Sequence, residues 1–282
     1  MQALIDLLGG LGFLFLGMEG LSRGLSGLFQ PAGEWLDAAG GFLRGLFWTA
    51  AVQSSSAVTA CLVSMSEAGI LSAADCFPML LGANVGTTLT VWLFSGLRSG
   101  ALYGAGLPLA FFALLLRKRS SASASLLGLS LVLSGMELLQ RAAAPLRAMA
   151  MSLGSPAAAF FSTLVFTAVI QSSAVSIGML QQLRLTMKAA VPAILGANIG
   201  TCGTGLLAAA LLGREGKRTA LLGLGINLAG TLLAAPFLPL IPAVEATPAR
   251  IAAAHTLFNA LTTAVLLPFT PLLRRCMSKR KN

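Results

Sequence analysis

Gln53-Ser54-Ser55-Ser56 is answered 118 positions later by Gln171-Ser172-Ser173, and Gly82-Ala83-Asn84-Val85-Gly86-Thr87 is answered 114 positions later by Gly196-Ala197-Asn198-Ile199-Gly200-Thr201. Outward from these words the match continues. Gly17-Met18-Glu19 and Thr49 find Gly135-Met136-Glu137 and Thr167 at the first offset, and Pro78 finds Pro192 at the second. Two polar words in one order at nearly one separation are an internal duplication, and a period of this kind decides architecture before any local reading. The chain divides into a first repeat over 1–119, a second over 120–241, and a terminal helix with a basic tail over 242–282.

The 282 residues are 56% hydrophobic and 10% charged, with a mean hydropathy of +0.84. A soluble domain carries roughly 25% charged residues, so little of this chain can face water. An ordinary soluble enzyme, a disordered chain, a coiled coil and a disulfide scaffold are excluded; an all-α polytopic membrane protein remains. The net charge of +10 does not point to nucleic acid. Eleven of the 19 basic residues fall in three clusters at the ends of apolar runs: Arg117 to Arg119, Arg214 with Lys217 and Arg218, and Arg274, Arg275 and Lys279 to Lys281. That is the positive-inside pattern, with the last cluster meeting anionic lipid. The four cysteines lack metal-site spacing. Residues 3–22 have no basic leader region and read as a retained span.

Apolar segments cover 3–22, 42–66, 70–96 and 101–116, then 125–146, 157–180, 189–212 and 219–241, with a last one at 251–272. The loop before 101–116 holds only Arg98, whereas its counterpart holds Arg214, Lys217 and Arg218. Equivalent loops therefore fall on opposite sides, and the repeats have inverted topology. Inversion requires an odd number of crossings per repeat, so one segment in each must turn back. The Gln-Ser-Ser segments fit: consecutive polar residues sit about 100° apart on a helix and share no face, but they suit the tip of a re-entrant hairpin. The expectation is seven spans and two hairpins in the cell (inner) membrane, N-terminus outside and C-terminus cytoplasmic. It places 13 basic residues inside and six outside.

Inverted repeats with interrupted helices are the architecture of secondary transporters. Hydroxyls, amide N–H groups and the N-terminal N–H groups of broken helices suit an oxyanion. The same residue types supply oxygens to a hard cation such as Na⁺. The glycines of the Gly-Ala-Asn words allow close backbone approach and unwinding, and Pro78 and Pro192 each remove a helical donor just before them. Small polar residues also serve helix packing, a reading that stays open for any single Ser or Gly. Glu19 and Glu137 suit hydrogen bonding near the interface, packing or function. Glu67 and Asp75 read as solvated loop residues. His255 reads as a structural hydrogen-bonding group or a proton site, shared with Asn259.

These words resemble those of the type II sodium/phosphate cotransporter family and its bacterial members, across most of the chain. The resemblance implies Na⁺-coupled movement of inorganic phosphate, with Na⁺ as coupling ion, no other cofactor and no enzymatic activity. It assigns phosphate contacts to Gln53, Ser54, Ser55, Ser56, Gln171, Ser172 and Ser173. It assigns sodium contacts to Asn84, Thr87, Asn198 and Thr201, with Thr59 and Ser176 as further candidates. Ala174 replaces the counterpart of Ser56, and Cys202 replaces that of Thr88, which bears on the number of sodium ions. Many bacterial members carry a soluble regulatory domain after the membrane part; here such regulation would come from a separate protein. The alternatives are symport of sulfate or a dicarboxylate, or an intramembrane lipid-pyrophosphate phosphatase, which would need acids, bases and arginine in the core.

Overall fold

The computed structural model describes residues 2–26, 38–96, 121–152, 155–210 and 212–278. The expected span at 101–116 lies outside the described residues, as does the end of the basic tail. The elements are α1 (Gln2–Ser26), α2 (Ala38–Val52), α3 (Ser55–Glu67), α4 (Ala73–Gly96), α5 (Ser121–Ser152), α6 (Pro156–Ile170), α7 (Ser173–Leu180), α8 (Met187–Ala210), α9 (Arg214–Ala234), α10 (Pro248–Leu266) and α11 (Thr270–Ser278). Short 3₁₀ turns follow α9 and α10. Among the described residues, four helical stretches are long and apolar enough to cross a membrane: Ala73–Gly96, Met187–Ala210, Arg214–Leu240 and Pro248–Met277. Side chains such as Phe161, Val169, Leu232 and Leu240 lie exposed on the outside. Large apolar side chains facing outward along helices of this length fit contact with lipid.

Both Gln-Ser-Ser segments form helical hairpins. Contacts step up together along α2 and α4, from Gly41 beside Pro78 to Thr49 beside Gly86, so these helices run parallel. A short turn joins α3 to α4, and α3 runs back. The second hairpin repeats this arrangement, with Phe160 beside Gly196 and Thr167 beside Gly200. At 1.5 Å rise per residue, the 15 residues of α2 or α6 reach about 22 Å, short of a roughly 30 Å hydrocarbon core.

The glycine words do not unwind. α4 and α8 are continuous helices through Gly82–Thr87 and Gly196–Thr201. What the glycines provide is close approach. A Cβ on Gly82 would lie 1.9 Å from the carbonyl oxygen of Phe42, and one on Gly196 would lie 2.2 Å from that of Phe160. Each long helix therefore presses its backbone against the first arm of its own hairpin. Pro78 and Pro192 fall within the helices and do not end them.

The helix caps revise the reading of two acids. Asp75 forms a capping box with Ser72 at the start of α4 and pairs with Arg274 at 2.9 Å. Glu67 accepts the backbone N–H of Gly216 at 2.8 Å and caps α9. Neither is a freely solvated loop residue, because an opened helix N-terminus competes well for a carboxylate. Glu137 pairs with Arg141 one turn on. The Gly-Met-Glu glycines mark the α1–α5 seam: a Cβ on Gly17 would lie 2.6 Å from the backbone nitrogen of Val132.

Candidate functional site

Each hairpin turns on its glutamine. Gln53 has φ 55° and Gln171 φ 59°, the left-handed region that costs an L-residue roughly 1–2 kcal/mol. The following serine is extended and caps the second arm. The Ser54 hydroxyl accepts the N–H of Ala57 at 3.2 Å, and the Ser172 hydroxyl accepts that of Val175 at 3.3 Å. Ser55 and Ser173 are the first residues of their helices and are buried. Only Gln53 and Ser54 of the first word, and Gln171 and Ser172 of the second, stand outside helices. The first-turn N–H groups of α3 and α7 have no carbonyl within their own helix to bond, so each tip carries partial positive charge.

The two tips meet. The Ser56 hydroxyl donates to the backbone carbonyl of Gln171 at 2.6 Å. The reciprocal bond has no donor, because Ala174 stands at the equivalent position. Beside this junction a small cavity is lined by Ser55, Thr59, Asn84, Thr201, Cys202 and Asn227, with small residues around them. It draws on the first hairpin, both glycine-word helices and α9. A phosphate candidate and three sodium candidates thus share one space.

The other sodium candidates stand apart from it. Ser176 is fully buried, accepts from Thr167 at 2.8 Å and donates to the Ser172 carbonyl at 2.9 Å. Thr87 donates along its own helix to the Ala83 carbonyl at 3.0 Å. Thr201 does the same to Ala197 at 2.9 Å while facing the cavity. Each asparagine oxygen or amide also meets a side chain from another helix. Asn84 donates to Asn227 Oδ1 at 3.0 Å, and His255 Nε2 lies 3.4 Å from Asn198 Oδ1. Asn198 Nδ2 donates to the Ile194 carbonyl, so its oxygen is the acceptor and His255 Nε2 carries the proton. Asn259 donates to the carbonyl of His255 and does not share the contact with Asn198.

Sequence reasoning missed Asn227, Thr90 and Thr204. Asn227 is single-copy and carries no repeat signal. The threonines did carry one: they stand 114 positions apart, as the glycine words do. Thr90 donates to Gln53 Oε1 at 2.7 Å, and Thr204 faces Gln171 Oε1 at 3.5 Å.

A helical membrane protein with duplicated broken helices and neutral donors at the breaks belongs, as a class, with membrane transporters. More particularly, the chain belongs to the Na⁺/Pi-cotransporter family, whose model matches residues 36–141 and 143–241. This is a family of transporters, not enzymes. The chain is 31% identical over 252 residues to "Uncharacterized protein YqeW" of Bacillus subtilis (strain 168), covering 83% of this chain and 82% of that protein. It is 32% identical over 102 residues to sodium-dependent phosphate transport protein 2A of Rattus norvegicus, covering 32% of this chain and 16% of that protein. Over 59 residues it is 42% identical to sodium-dependent phosphate transport protein 2C of Homo sapiens, covering 21% of this chain and 10% of that protein. No solved structure matches the chain.

Proposed function

We propose that this chain moves inorganic phosphate across the cell membrane in symport with Na⁺, by alternating access between two inverted repeats. The observation that carries the reading is the junction of two left-handed glutamine breaks through Ser56 and Gln171. Phosphate is held there by Gln53, Ser54, Ser55, Ser56, Gln171, Ser172 and Ser173. Two helix N-termini and several hydroxyls supply donors with no Arg or Lys among the assigned residues, so the site can release its anion. Sodium lies beside it, among oxygens of Asn84, Thr87, Asn198, Thr201, Thr59 and Ser176, with Asn84, Thr201 and Thr59 on the shared cavity.

Charge explains why the two solutes travel together. Each charge moved against 100 mV costs about 2.3 kcal/mol, hence about 4.6 kcal/mol for divalent phosphate entering a negative-inside cell. Two Na⁺ cancel that cost, and a bound cation offsets the burial of the anion. The repeats are 1–119 and 120–241, with 242–282 appended, the N-terminus outside and the C-terminus cytoplasmic.

Uptake of radiolabelled phosphate into proteoliposomes tests the reading. Uptake should require Na⁺ and fail with choline, and excess unlabelled sulfate or dicarboxylate should not suppress it. Suppression by sulfate or a dicarboxylate would reassign the substrate. Ser55→Ala and Ser173→Ala should each weaken phosphate binding about 5- to 150-fold, the range for a lost donor in a dry site. Full activity in both would return these serines to a packing role.

A further inference from the structure

We infer that Thr90, and more weakly its counterpart Thr204, are positioning residues that fix the glutamine breaks from the neighbouring long helix. Gln53 Nε2 donates to the carbonyl of Ala50 at 2.6 Å, in the last turn of α2. A carbonyl only accepts, so the other end of the amide, Oε1, faces Thr90, and the threonine is the donor. Thr90 is 1% exposed, so water has no access to replace it. Both ends of the amide are thus engaged, and the residue holds a backbone conformation that non-glycine residues rarely adopt.

The arrangement occurs twice. Thr204 takes the same position on α8 opposite Gln171, at 3.5 Å instead of 2.7 Å. The second break has a different support, since its carbonyl receives the Ser56 hydroxyl. A hydroxyl placed twice against the one residue that breaks each hairpin is a device of the fold. Thr90 lies on the same helix as Asn84 and Thr87. It therefore joins the helix assigned to sodium with the hairpin assigned to phosphate. Without the hydroxyl, the amide of Gln53 keeps only its bond to Ala50, and the tip is free to turn its donors away from the anion.

The inference rests on the transport reading above, and its test separates the two. Sodium-driven phosphate uptake is measured for wild type, Thr90→Val, Thr90→Ser and Thr204→Val, with melting temperatures alongside. Thr90→Val should raise the phosphate concentration for half-maximal uptake about tenfold at saturating Na⁺ while leaving the maximal rate unchanged. Thr90→Ser should restore the wild-type value, and Thr204→Val should shift it less than Thr90→Val does. If Thr90→Val does not fold, Thr90→Ala serves as the variant without the hydroxyl. Wild-type half-saturation in Thr90→Val, or a Thr90→Ser as impaired as the valine variant, would overturn the inference alone. A wild type without sodium-driven phosphate uptake would overturn the transport reading and, with it, this one.

Discussion

Duplicated residues in the two repeats do not have equal surroundings, and the differences are testable one side chain at a time. Thr49 and Thr167 hold the same place in the first arm of each hairpin, and both are fully buried. The Thr167 hydroxyl donates to Ser176. The position equivalent to Ser176 is Val58, and the Thr49 hydroxyl has no partner among the described residues. An unpaired buried hydroxyl costs roughly 1–3 kcal/mol, and replacing it by a methyl of the same shape is neutral or stabilising. Thr49→Val should therefore keep or raise the melting temperature in detergent. Thr167→Val strands a bonded pair and should lower it. Equal losses in both would mean that packing around the branched side chain, not the hydroxyl, sets stability here. The same comparison shows a detail of side-chain bonding that residue type and spacing do not carry. Thr87 is drawn to the carbonyl of Ala83 and Ser176 to that of Ser172; residue type and spacing say nothing about whether a hydroxyl turns to the nearest carbonyl on its own helix.

Among the elements, hairpins were legible in the sequence and helix continuity was not. Four adjacent polar residues inside an apolar run cannot share a helical face, and the backbone does break at Gln53 and Gln171. The glycine words offered two outcomes, unwinding and close approach, with identical composition. Which one holds depends on what lies opposite, and opposite Gly82 lies the backbone of α2. Gly82→Ala should thus push α4 off its hairpin, because the added carbon would sit 1.9 Å from the Phe42 carbonyl, which no rotamer change relieves. Fluorescence-detected gel filtration should show loss of the monodisperse peak. Gly225→Ala on α9 is the control: nothing lies within 4 Å of the new carbon, and alanine gains up to about 1 kcal/mol over glycine within a helix. A monodisperse, heat-stable Gly82→Ala protein would show that the hairpin and α4 slide freely past one another. The cap made by Glu67 was illegible for a related reason, since the helix end it serves lies 149 positions away, whereas the Ser72–Asp75 box is local and its three-residue spacing stands in the sequence.

At the scale of the whole molecule, α9 is the ruler that orients the two hairpins. Its N-terminal end meets the base of the first hairpin, through Glu67 on the Gly216 N–H and Thr219 on Ser66 at 2.8 Å. The segment after its C-terminal end meets the base of the second, where Met187 donates to the Val244 carbonyl and Ala246 to that of Leu185, each at 2.8 Å. The hairpins therefore open toward opposite ends of one helix. The charges agree in sign with a membrane between those ends. Arg214, Lys217, Arg218, Arg274 and Arg275 accompany the first base, while Arg184, Lys188 and Arg250 accompany the second, and the richer side should be cytoplasmic. Loop charge points to inversion because it acts through sequence position alone. Asn227 was hidden because it is single-copy, and the sequence named His255 without showing that its partner is Asn198. The arrangement predicts opposite accessibility for the two bases. In a background without native cysteines, Ala68→Cys and Ala243→Cys each place a thiol at an exposed position, one at either base. A membrane-impermeant maleimide applied to intact cells should modify Ala243→Cys and spare Ala68→Cys. Inside-out vesicles should give the reverse. Modification of both variants from one side would remove the inverted repeats, and alternating access between them would go too. Opposite labelling of the reversed sense would keep the repeats and place the C-terminus outside.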